Sequence, residues 1–209
     1  MGKKLLLIGG GGHCRSVLDS VLSMNTYEDI GIIDNVNNTY AGIPTIGCDD
    51  DLPKLLKKGW TDAFVTVGSI GITTTRIRLY SLIKKLGFSI PVITDPSAVL
   101  AKDVIIKEGT YIGKKAVINA GTFVNECAII NTGAIVEHEC TIGAFSHISP
   151  GAILCGEVKV GASTHIGAGS VIRQQIVIEN DVLIGAGSVI VHNVPSNVII
   201  YGNPGKVIE

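Results

Sequence analysis

From Leu100 onward, aliphatic residues recur at every sixth position, a period that is neither the 3.6 of an α-helix nor the two of a strand. Small or β-branched residues mostly follow four positions later, and glycine often follows directly, as at Gly113, Gly143 and Gly161. This hexapeptide repeat predicts a parallel β-helix, in which each short strand turns one aliphatic side chain into a narrow prism. The aliphatic positions are Ile106, Ile112, Ile118, Val124, Ile130, Val136, Ile142, Ile148, Leu154, Val160, Ile166, Ile172, Ile178, Ile184 and Ile190.

Residues 1–96 have a different pattern, in which apolar runs alternate with amphipathic stretches. The runs predicted as strands are LLLIG (5–9), DIGIID (29–34), DAFVTVG (62–68) and FSIPVIT (88–94), with predicted helices between them. Such alternation indicates a parallel sheet that binds ligands at the carboxyl ends of its strands. We therefore expect an α/β, Rossmann-like domain over residues 1–96 and a β-helix domain over residues 97–209.

Composition and charge exclude several classes of function. A net charge of −1 over 209 residues argues against a nucleic-acid-binding surface and against a polybasic membrane patch. No apolar stretch reaches membrane-spanning length and no signal peptide is evident, so we expect a cytoplasmic protein without membrane insertion. The five cysteines lack CxxC spacing, which favours reduced thiols, and the histidines lack metal-ligand spacing, so no metal is expected.

Four segments resemble a known family, and together they span the whole chain. They are GGGGH (9–13), IIDN (32–35), NTGAIVEHECTIGAFSHISPGA (131–152) and VIIYGNPGKVI (198–208). They resemble the bacterial UDP-4-amino-sugar N-acetyltransferases and the related sialic-acid O-acetyltransferases. The resemblance implies a left-handed parallel β-helix with three hexads to a coil, and a homotrimer that holds acetyl-CoA between adjacent prisms.

The same resemblance implies an enzyme, an acetyl-CoA-dependent N-acetyltransferase, with a nucleotide-sugar-binding domain over residues 1–96 and an acetyltransferase domain over residues 97–209. Its substrate would be the amino group of a UDP-linked 4-amino-4,6-dideoxy sugar used in glycan or surface-polysaccharide biosynthesis. The alternative is O-acetylation of sialic acid or a related sugar, and the sequence leaves the choice open. A non-catalytic scaffold role is disfavoured, because a scaffold needs the hexads but not the EHE triplet (137–139).

Three hexads to a coil place residues eighteen apart above one another. Gly156 should therefore lie one coil above His138, and His165 one coil above His147. By resemblance, the EHE histidine is the general base, so His138 takes that role and Glu139 orients its imidazole. The backbone N–H of Gly156 is the candidate oxyanion donor, because it lies over His138 and glycine allows close approach of a ligand.

The remaining candidate residues fall into a cofactor group and a substrate group. By resemblance, the acetyl-CoA contacts are His147, Ala168 and Gly185. His138 and His147 are expected to face a shared groove, whereas His165 is interpreted as an ordinary outward-facing polar residue. Cys140 is interpreted as packing rather than as a nucleophile, because it falls at a small inward position.

The glycine run between the first strand and helix is typical of a phosphate-binding turn. It departs from the dinucleotide fingerprint, whose third glycine is replaced by Cys14, so an NAD site is disfavoured. Without the resemblance, Asp34 and Asn35 would be interpreted as a simple turn. By resemblance, the nucleotide-sugar contacts are Gly11, Gly12, His13, Asp34, Asn35 and Gly68.

Overall fold

Three of the four apolar runs of the first half form one sheet, together with a short hairpin, in a computed structural model that describes residues 2–208. Its strand order is β3-β4-β2-β1-β5, parallel except for the β3–β4 hairpin. The elements are β1 (Lys4–Ile8), α1 (Gly12–Met24), β2 (Asp29–Ile33), β3 (Thr39–Tyr40), β4 (Ile43–Gly47), a 3₁₀ turn (Asp49–Asp51), α2 (Leu52–Lys57), β5 (Asp62–Val65) and α3 (Thr74–Leu86).

From Leu5 to Ile8, strand β1 is apolar and buried because both faces of the sheet are covered. Leu5 and Leu7 pack in one core cluster with the apolar face of α1, and Leu6 and Ile8 pack in another with residues of α2 and α3. The predicted α/β class is therefore confirmed, with its strand ends gathered at one edge.

Two details of the sequence prediction were incomplete. The β3–β4 hairpin was not predicted, because its strands are short and lack a continuous apolar run. The run 88–94 was predicted as one strand of the first sheet, but only Ser89 bridges to β5, at Asp62. Strand β6 (Ile93–Thr94) instead pairs with a strand of the β-helix, at Tyr111 and Ile112. The predicted division at residues 96 and 97 stays a prediction.

The hexads form the left-handed parallel β-helix, with one two-residue strand in each hexad. After β6 these strands are β7 (Val99–Leu100), β8 (Ile105–Ile106), β9 (Tyr111–Ile112), β10 (Val117–Ile118), β11 (Phe123–Val124), β12 (Ile129–Ile130), β13 (Ile135–Val136), β14 (Thr141–Ile142), β15 (His147–Ile148), β16 (Ile153–Leu154), β17 (Lys159–Val160), β18 (His165–Ile166), β19 (Val171–Ile172), β20 (Val177–Ile178), β21 (Leu183–Ile184) and β22 (Val189–Ile190). Two longer strands, β23 (Ile199–Gly202) and β24 (Gly205–Val207), end the chain as an antiparallel pair.

The short strands stack into three walls. Wall 1 contains β6, β9, β12, β15, β18, β21, β23 and β24; wall 2 contains β7, β10, β13, β16, β19 and β22; wall 3 contains β8, β11, β14, β17 and β20. From β6 to β22, every pairing joins residues eighteen apart, as predicted, for example His147 with His165. The last pairing of wall 1 differs, because Leu183 of β21 pairs with Ile199 of β23. The second residue of each strand points inward, and from Ile112 to Ile190 these side chains are at most 3% exposed.

The outer face of wall 1 packs against the α/β half. Tyr111 and Ile129, which point outward from this wall, belong to the same core cluster as the apolar face of α1. A buried polar bridge adds to this contact: the Ser20 hydroxyl of α1 donates to Asp95 Oδ2 at 2.6 Å and lies 3.0 Å from the Tyr111 hydroxyl. This packing fixes the carboxyl edge of the sheet against wall 1.

Candidate active site

The glycine turn between β1 and α1 is held open by side chains of neighbouring segments. The Gly10 N–H donates to Asp34 Oδ2 at 2.5 Å, and the second carboxylate oxygen of Asp34 accepts from the Val36 N–H at 2.9 Å. Asp34 therefore shapes the turn, while Asn35 beside it is exposed. A Cβ added at Gly11 or Gly12 would meet nothing within 4 Å, so this surface is open to a ligand.

His13 and Gly68 lie side by side at the same sheet edge. A Cβ at Gly68 would be 3.3 Å from the Cβ of His13, so a larger residue would crowd the imidazole. The His13 ring meets Tyr111 edge-on, and its Nε2 is buried without a hydrogen-bond partner in residues 2–208. Burial lowers the pKa of His13 to about 3, so the ring is neutral near pH 7.

His147 is the point at which wall 1 meets the loop after β5. Its Nδ1 lies 3.0 Å from the Ser69 carbonyl oxygen, and its Nε2 lies 3.0 Å from Asn131 Nδ2. A carbonyl can only accept, so Nδ1 carries the proton and Nε2 accepts from the Asn131 amide. Burial lowers the pKa of His147 to about 4, which keeps this tautomer neutral.

His165 is more enclosed than its sequence interpretation implied. The side chain is buried, its ring centroid lies 5.0 Å from that of His147, and its Nε2 lies 3.3 Å from the Ser149 hydroxyl. Its Nδ1 has no partner in the described part of the chain. Burial lowers the pKa of His165 as well. The expectation of an ordinary outward-facing polar residue was therefore wrong, because wall 1 is covered by the other half.

Two cavities meet at His147 and Ile70. The first, of about 430 Å³, is the glycine-turn cavity, lined by Gly12, His13, Ser16, Gly68, Ser69, Ile70, Asn131 and His147. The second, of about 480 Å³, is the wall-1 cavity, lined by Ile70, His147, Ser149, Pro150, His165, Gly167, Ala168, Leu183, Ile184, Gly185, Ala186 and Tyr201. All three predicted cofactor residues line the wall-1 cavity, and three predicted substrate residues line the glycine-turn cavity.

His138, Glu139 and Gly156 form a separate group at the turn between wall 2 and wall 3. Nδ1 of His138 lies 3.2 Å from Glu139 Oε2, so a neutral imidazole donates through Nδ1 and leaves the Nε2 lone pair available. A Cβ added at Gly156 would lie 2.5 Å from Nε2 and from Cε1 of His138. The predicted stacking is therefore observed, and only glycine fits beneath the ring.

Within one chain His138 and His147 do not share a groove. His147 lies on the outer face of wall 1, whereas His138 follows β13 of wall 2 and precedes β14 of wall 3. Neither His138 nor Glu139 lines the glycine-turn cavity or the wall-1 cavity. The expectation of a shared groove was wrong for the single chain, because a three-walled coil sends residues nine apart to different sides.

Several lining residues were missed by sequence reasoning. Asn131 and Ser69 fix the His147 tautomer, and Ile70, which is 73% exposed, lines both cavities. Asn131 could have been found from the repeat, because it follows the strand stacked directly below His147. Ser69 and Ile70 carry no such signal, since their place depends on how the two halves pack.

Two further observations concern metal binding and membrane crossing in the described residues. Within residues 2–208, no group of three or more His, Cys, Asp or Glu side chains lies close enough together to hold a metal ion. None of the helices in that range has the length and apolarity that a membrane crossing requires.

Two family models match the chain. The PglD N-terminal domain matches residues 4–83, and the hexapeptide repeat of succinyl-transferase matches residues 133–174, 158–192 and 175–200. A search of curated proteins returned no match.

Solved structures extend the likeness over the whole chain. The acetyltransferase domain of PglB from Neisseria gonorrhoeae FA1090 is 36% identical, with a TM-score of 0.94, over 99% of this chain and 100% of that one. The same domain in complex with acetyl coenzyme A is 35% identical, with a TM-score of 0.93, over 100% of both chains. PerB from Caulobacter crescentus, in complex with CoA and GDP-perosamine, is 33% identical, with a TM-score of 0.94, over 100% of this chain and 98% of that one.

Proposed function

The chain belongs to the family of hexapeptide-repeat sugar N-acetyltransferases with a PglD N-terminal domain, and we propose that it transfers the acetyl group of acetyl-CoA to the amino group of a nucleotide-linked 4-amino-4,6-dideoxy sugar. The observation that carries the proposal is the meeting of the two cavities at His147 and Ile70. A donor in the wall-1 cavity and an acceptor in the glycine-turn cavity would be adjacent there.

The wall-1 cavity suits the pantetheine arm of acetyl-CoA. Most of its lining is apolar or backbone, and Ala168 and Gly185 present little side-chain bulk. The Tyr201 ring covers Gly185 so closely that a Cβ there would lie 1.8 Å from its Cδ1. Neutral His147 and His165 supply polar atoms without adding charge. A thioester needs this kind of site, with a few placed polar groups in an apolar cleft.

The glycine-turn cavity suits the nucleotide-linked sugar. It lies at the carboxyl edge of the parallel sheet, beside the N-terminus of α1, where anions are favoured. The proposed contacts here remain Gly11, Gly12, His13, Asp34, Asn35 and Gly68. The nucleotide proposed from the sequence is UDP, whereas the PerB complex contains GDP-perosamine, so both nucleotides enter the test.

The proposed chemistry is direct transfer with His138 as the base. The sugar amine attacks the thioester carbonyl, its proton passes to Nε2 of His138, and CoA leaves as the thiolate. Glu139 holds the Nδ1–H, and the Gly156 N–H, beside that ring, donates to the oxyanion of the tetrahedral intermediate. A general base contributes roughly 10²–10⁴-fold to the rate.

This chemistry requires a second chain, because His138 lies away from both cavities of its own chain. The proposed assembly is a homotrimer, in which His138 of one protomer faces the cavities of its neighbour. Wall 2 supplies a suitable contact surface, because its strand β13 directly precedes the turn that contains His138. Its outward side chains form an aliphatic column of Val99, Val117, Ile135, Ile153, Val171 and Val189.

The deciding experiment is a panel assay that follows thiol release from acetyl-CoA. The acceptors are UDP-linked and GDP-linked 4-amino-4,6-dideoxy sugars and free sialic acid, and the enzymes are wild type and His138→Asn. We expect thiol release with at least one nucleotide amino sugar and a loss of about 10²–10⁴-fold in kcat for the variant. Turnover of sialic acid alone would overturn the amino-sugar assignment, and near-normal turnover by the variant would remove His138 as the base.

A further inference from the structure

A third cavity, of about 370 Å³, lies between α1 and the β3–β4 hairpin. It adjoins the glycine turn, but it lies on the neighbouring face of α1: Arg15 and Asp19 line it, whereas His13 and Ser16 line the glycine-turn cavity. Its lining is Arg15, Leu18, Asp19, Thr39, Tyr40 and Ala41. None of these residues takes part in the acetyl transfer proposed above.

The exposed side chain of Arg15 packs against the ring of Tyr40. Its guanidinium carbon lies 4.3 Å from the centroid of the Tyr40 ring, a cation–π contact. The Tyr40 hydroxyl in turn donates to the Gly10 carbonyl at 2.7 Å, so the ring is tied to the glycine turn. A guanidinium stacked in this way keeps its in-plane N–H donors free for a ligand.

The guanidinium of Arg15 has no anionic partner in the described residues. No carboxylate of residues 2–208 forms an ion pair with it, and none of its N–H groups makes a hydrogen bond there. Two acids of this region are committed elsewhere: Asp19, which lines the same cavity, pairs with Lys114, and both oxygens of Asp34 accept backbone N–H groups. Arg15 is therefore a pre-oriented, uncompensated cation beside the glycine turn.

The start of α1 adds to this positive potential. The helix begins at Gly12 without a side-chain cap and without an acidic residue in its first turn, so its first N–H groups are unsatisfied. Gly11 and Gly12 are open, and the buried Nε2 of His13 on the next face has no partner in the described chain. Arg15 follows in the same helix, and its partner Tyr40 is bonded to the Gly10 carbonyl of the glycine turn.

We propose that Arg15, oriented by Tyr40, binds the diphosphate of the nucleotide-linked substrate together with the N–H groups at the start of α1. Arg15 is then a binding residue and Tyr40 a positioning residue. A diphosphate fits better than a base, because a helix N-terminus and a planar guanidinium both select oxyanions and the bases are uncharged. This inference rests on the proposed function, since it takes a nucleotide-linked sugar as the substrate.

The test is calorimetric binding of UDP and of GDP to the full chain, as wild type, Arg15→Gln, Arg15→Lys and Tyr40→Leu. A charge-assisted bidentate contact predicts that Arg15→Gln weakens both nucleotides by the same factor, about 10–100-fold. Arg15→Lys should bind both nucleotides more tightly than Arg15→Gln but more weakly than the wild type. Tyr40→Leu should weaken nucleotide binding by a smaller factor than Arg15→Gln does. Binding by the wild type should weaken more steeply with salt than binding by Arg15→Gln.

Arg78→Gln is the matched control, because Arg78 is an exposed arginine of α3 paired with Asp49, far along the chain from the turn. It should bind both nucleotides as the wild type does. Unchanged affinity in Arg15→Gln, or a loss confined to one nucleotide, would overturn the diphosphate role. Wild-type protein that binds neither nucleotide would instead contradict the nucleotide-linked substrate itself, so the two failures are distinguishable.

Discussion

At the scale of single residues, two histidines nine positions apart have opposite surroundings. His138 is exposed over 56% of its side chain and is held by one carboxylate, whereas His147 is enclosed and bonded at both ring nitrogens. The first arrangement leaves Nε2 without a hydrogen-bond partner in the described residues, as proton transfer requires. The second fixes a neutral ring, as positioning of a ligand requires.

Gly156→Ala tests the stacking beneath His138 without touching the imidazole itself. The added methyl would lie 2.5 Å from Nε2, so the ring must rotate away from Glu139. Because a misplacement of about 1 Å costs roughly 10²-fold, we expect kcat to fall by about that factor while the melting temperature changes little. Steady-state kinetics measure the effect.

Cys140→Ala is the control for this variant. Cys140 is 1% exposed, its thiol donates to the Cys155 carbonyl at 3.3 Å, and burial raises its pKa to about 11. A thiol in this environment is packing and not a nucleophile, so kcat should stay near that of the wild type. A large loss in this control, or none in Gly156→Ala, would contradict the assignment.

At the scale of the repeat element, two rules shape each coil. Every sixth residue from Gly109 to Gly187 has a positive φ, and non-glycine residues such as Glu139 occupy many of these corners. Inward Ser and Thr hydroxyls satisfy corner carbonyls fifteen residues later, as in Ser146 to Gly161 at 2.6 Å and Ser170 to Gly185 at 2.9 Å. The repeat therefore tolerates small polar residues inside because each finds an acceptor.

Two glycine-to-alanine substitutions separate backbone strain from backbone contact. Gly133 has a φ of +64 with open space around it, so Gly133→Ala should cost about 1–2 kcal/mol. Gly143 lies against the next coil, where a Cβ would be 2.4 Å from the carbonyl carbon of Gly161, so Gly143→Ala should cost about 3 kcal/mol or more. Denaturant midpoints at one protein concentration compare them, and equal midpoints would contradict the contact argument.

At the scale of the whole molecule, the outer column of wall 1 joins the two halves and builds both cavities. A second buried link lies beside it: the Arg76 guanidinium of α3 donates to the carbonyls of Cys127 and of Phe145, the latter at 2.8 Å. Burial lowers the pKa of Arg76 to about 10, so the charge persists near pH 7. The two halves of the chain are thereby held at a fixed separation.

The junction histidines predict how stability depends on pH. Burial lowers the pKa of His13 to about 3 and of His147 to about 4, so the unfolded chain binds protons more readily at these positions. Their contribution to the free energy of unfolding is complete above about pH 6.5. It is lost as the pH falls towards 4, by at most about 1.4 kcal/mol per pH unit for each histidine. Urea midpoints between pH 8 and 5 should fall, and His147→Gln should flatten the slope, whereas exposed His192→Gln should not.

The aliphatic column on the outer face of wall 2 predicts that the chains assemble into a homotrimer. Val99 is 61% exposed in the single chain, and the rest of the column is partly exposed, which leaves an apolar stripe on one face. Ile135→Glu, at the middle of the stripe, should convert a trimer to monomers at micromolar concentration and abolish transfer. Light scattering measures the state, with exposed Lys159→Glu on wall 3 as the control. A monomeric wild-type protein would contradict the assembly.

Local periodicity was enough to predict both folding patterns, because the period of six sets each inward side chain. The coil register and the stacking of Gly156 on His138 followed once the family resemblance implied three hexads to a coil, since a spacing of eighteen then sets each neighbour. Conversely, the β3–β4 hairpin and the pairing of β6 with the β-helix rather than with the first sheet depend on which strand lies nearby. A two-residue strand has too little sequence pattern to predict its partner.

The assembly of the site could be read only from the folded chain. It showed that His138 lies away from the cavities, that His165 is buried, and that Ser69 and Ile70 reach wall 1. It also placed Arg15 on Tyr40. Each of these depends on the packing of one half against the other, which joins residues far apart along the chain. Local periodicity contains no information about such contacts, because it specifies which face of an element is apolar but not what covers it.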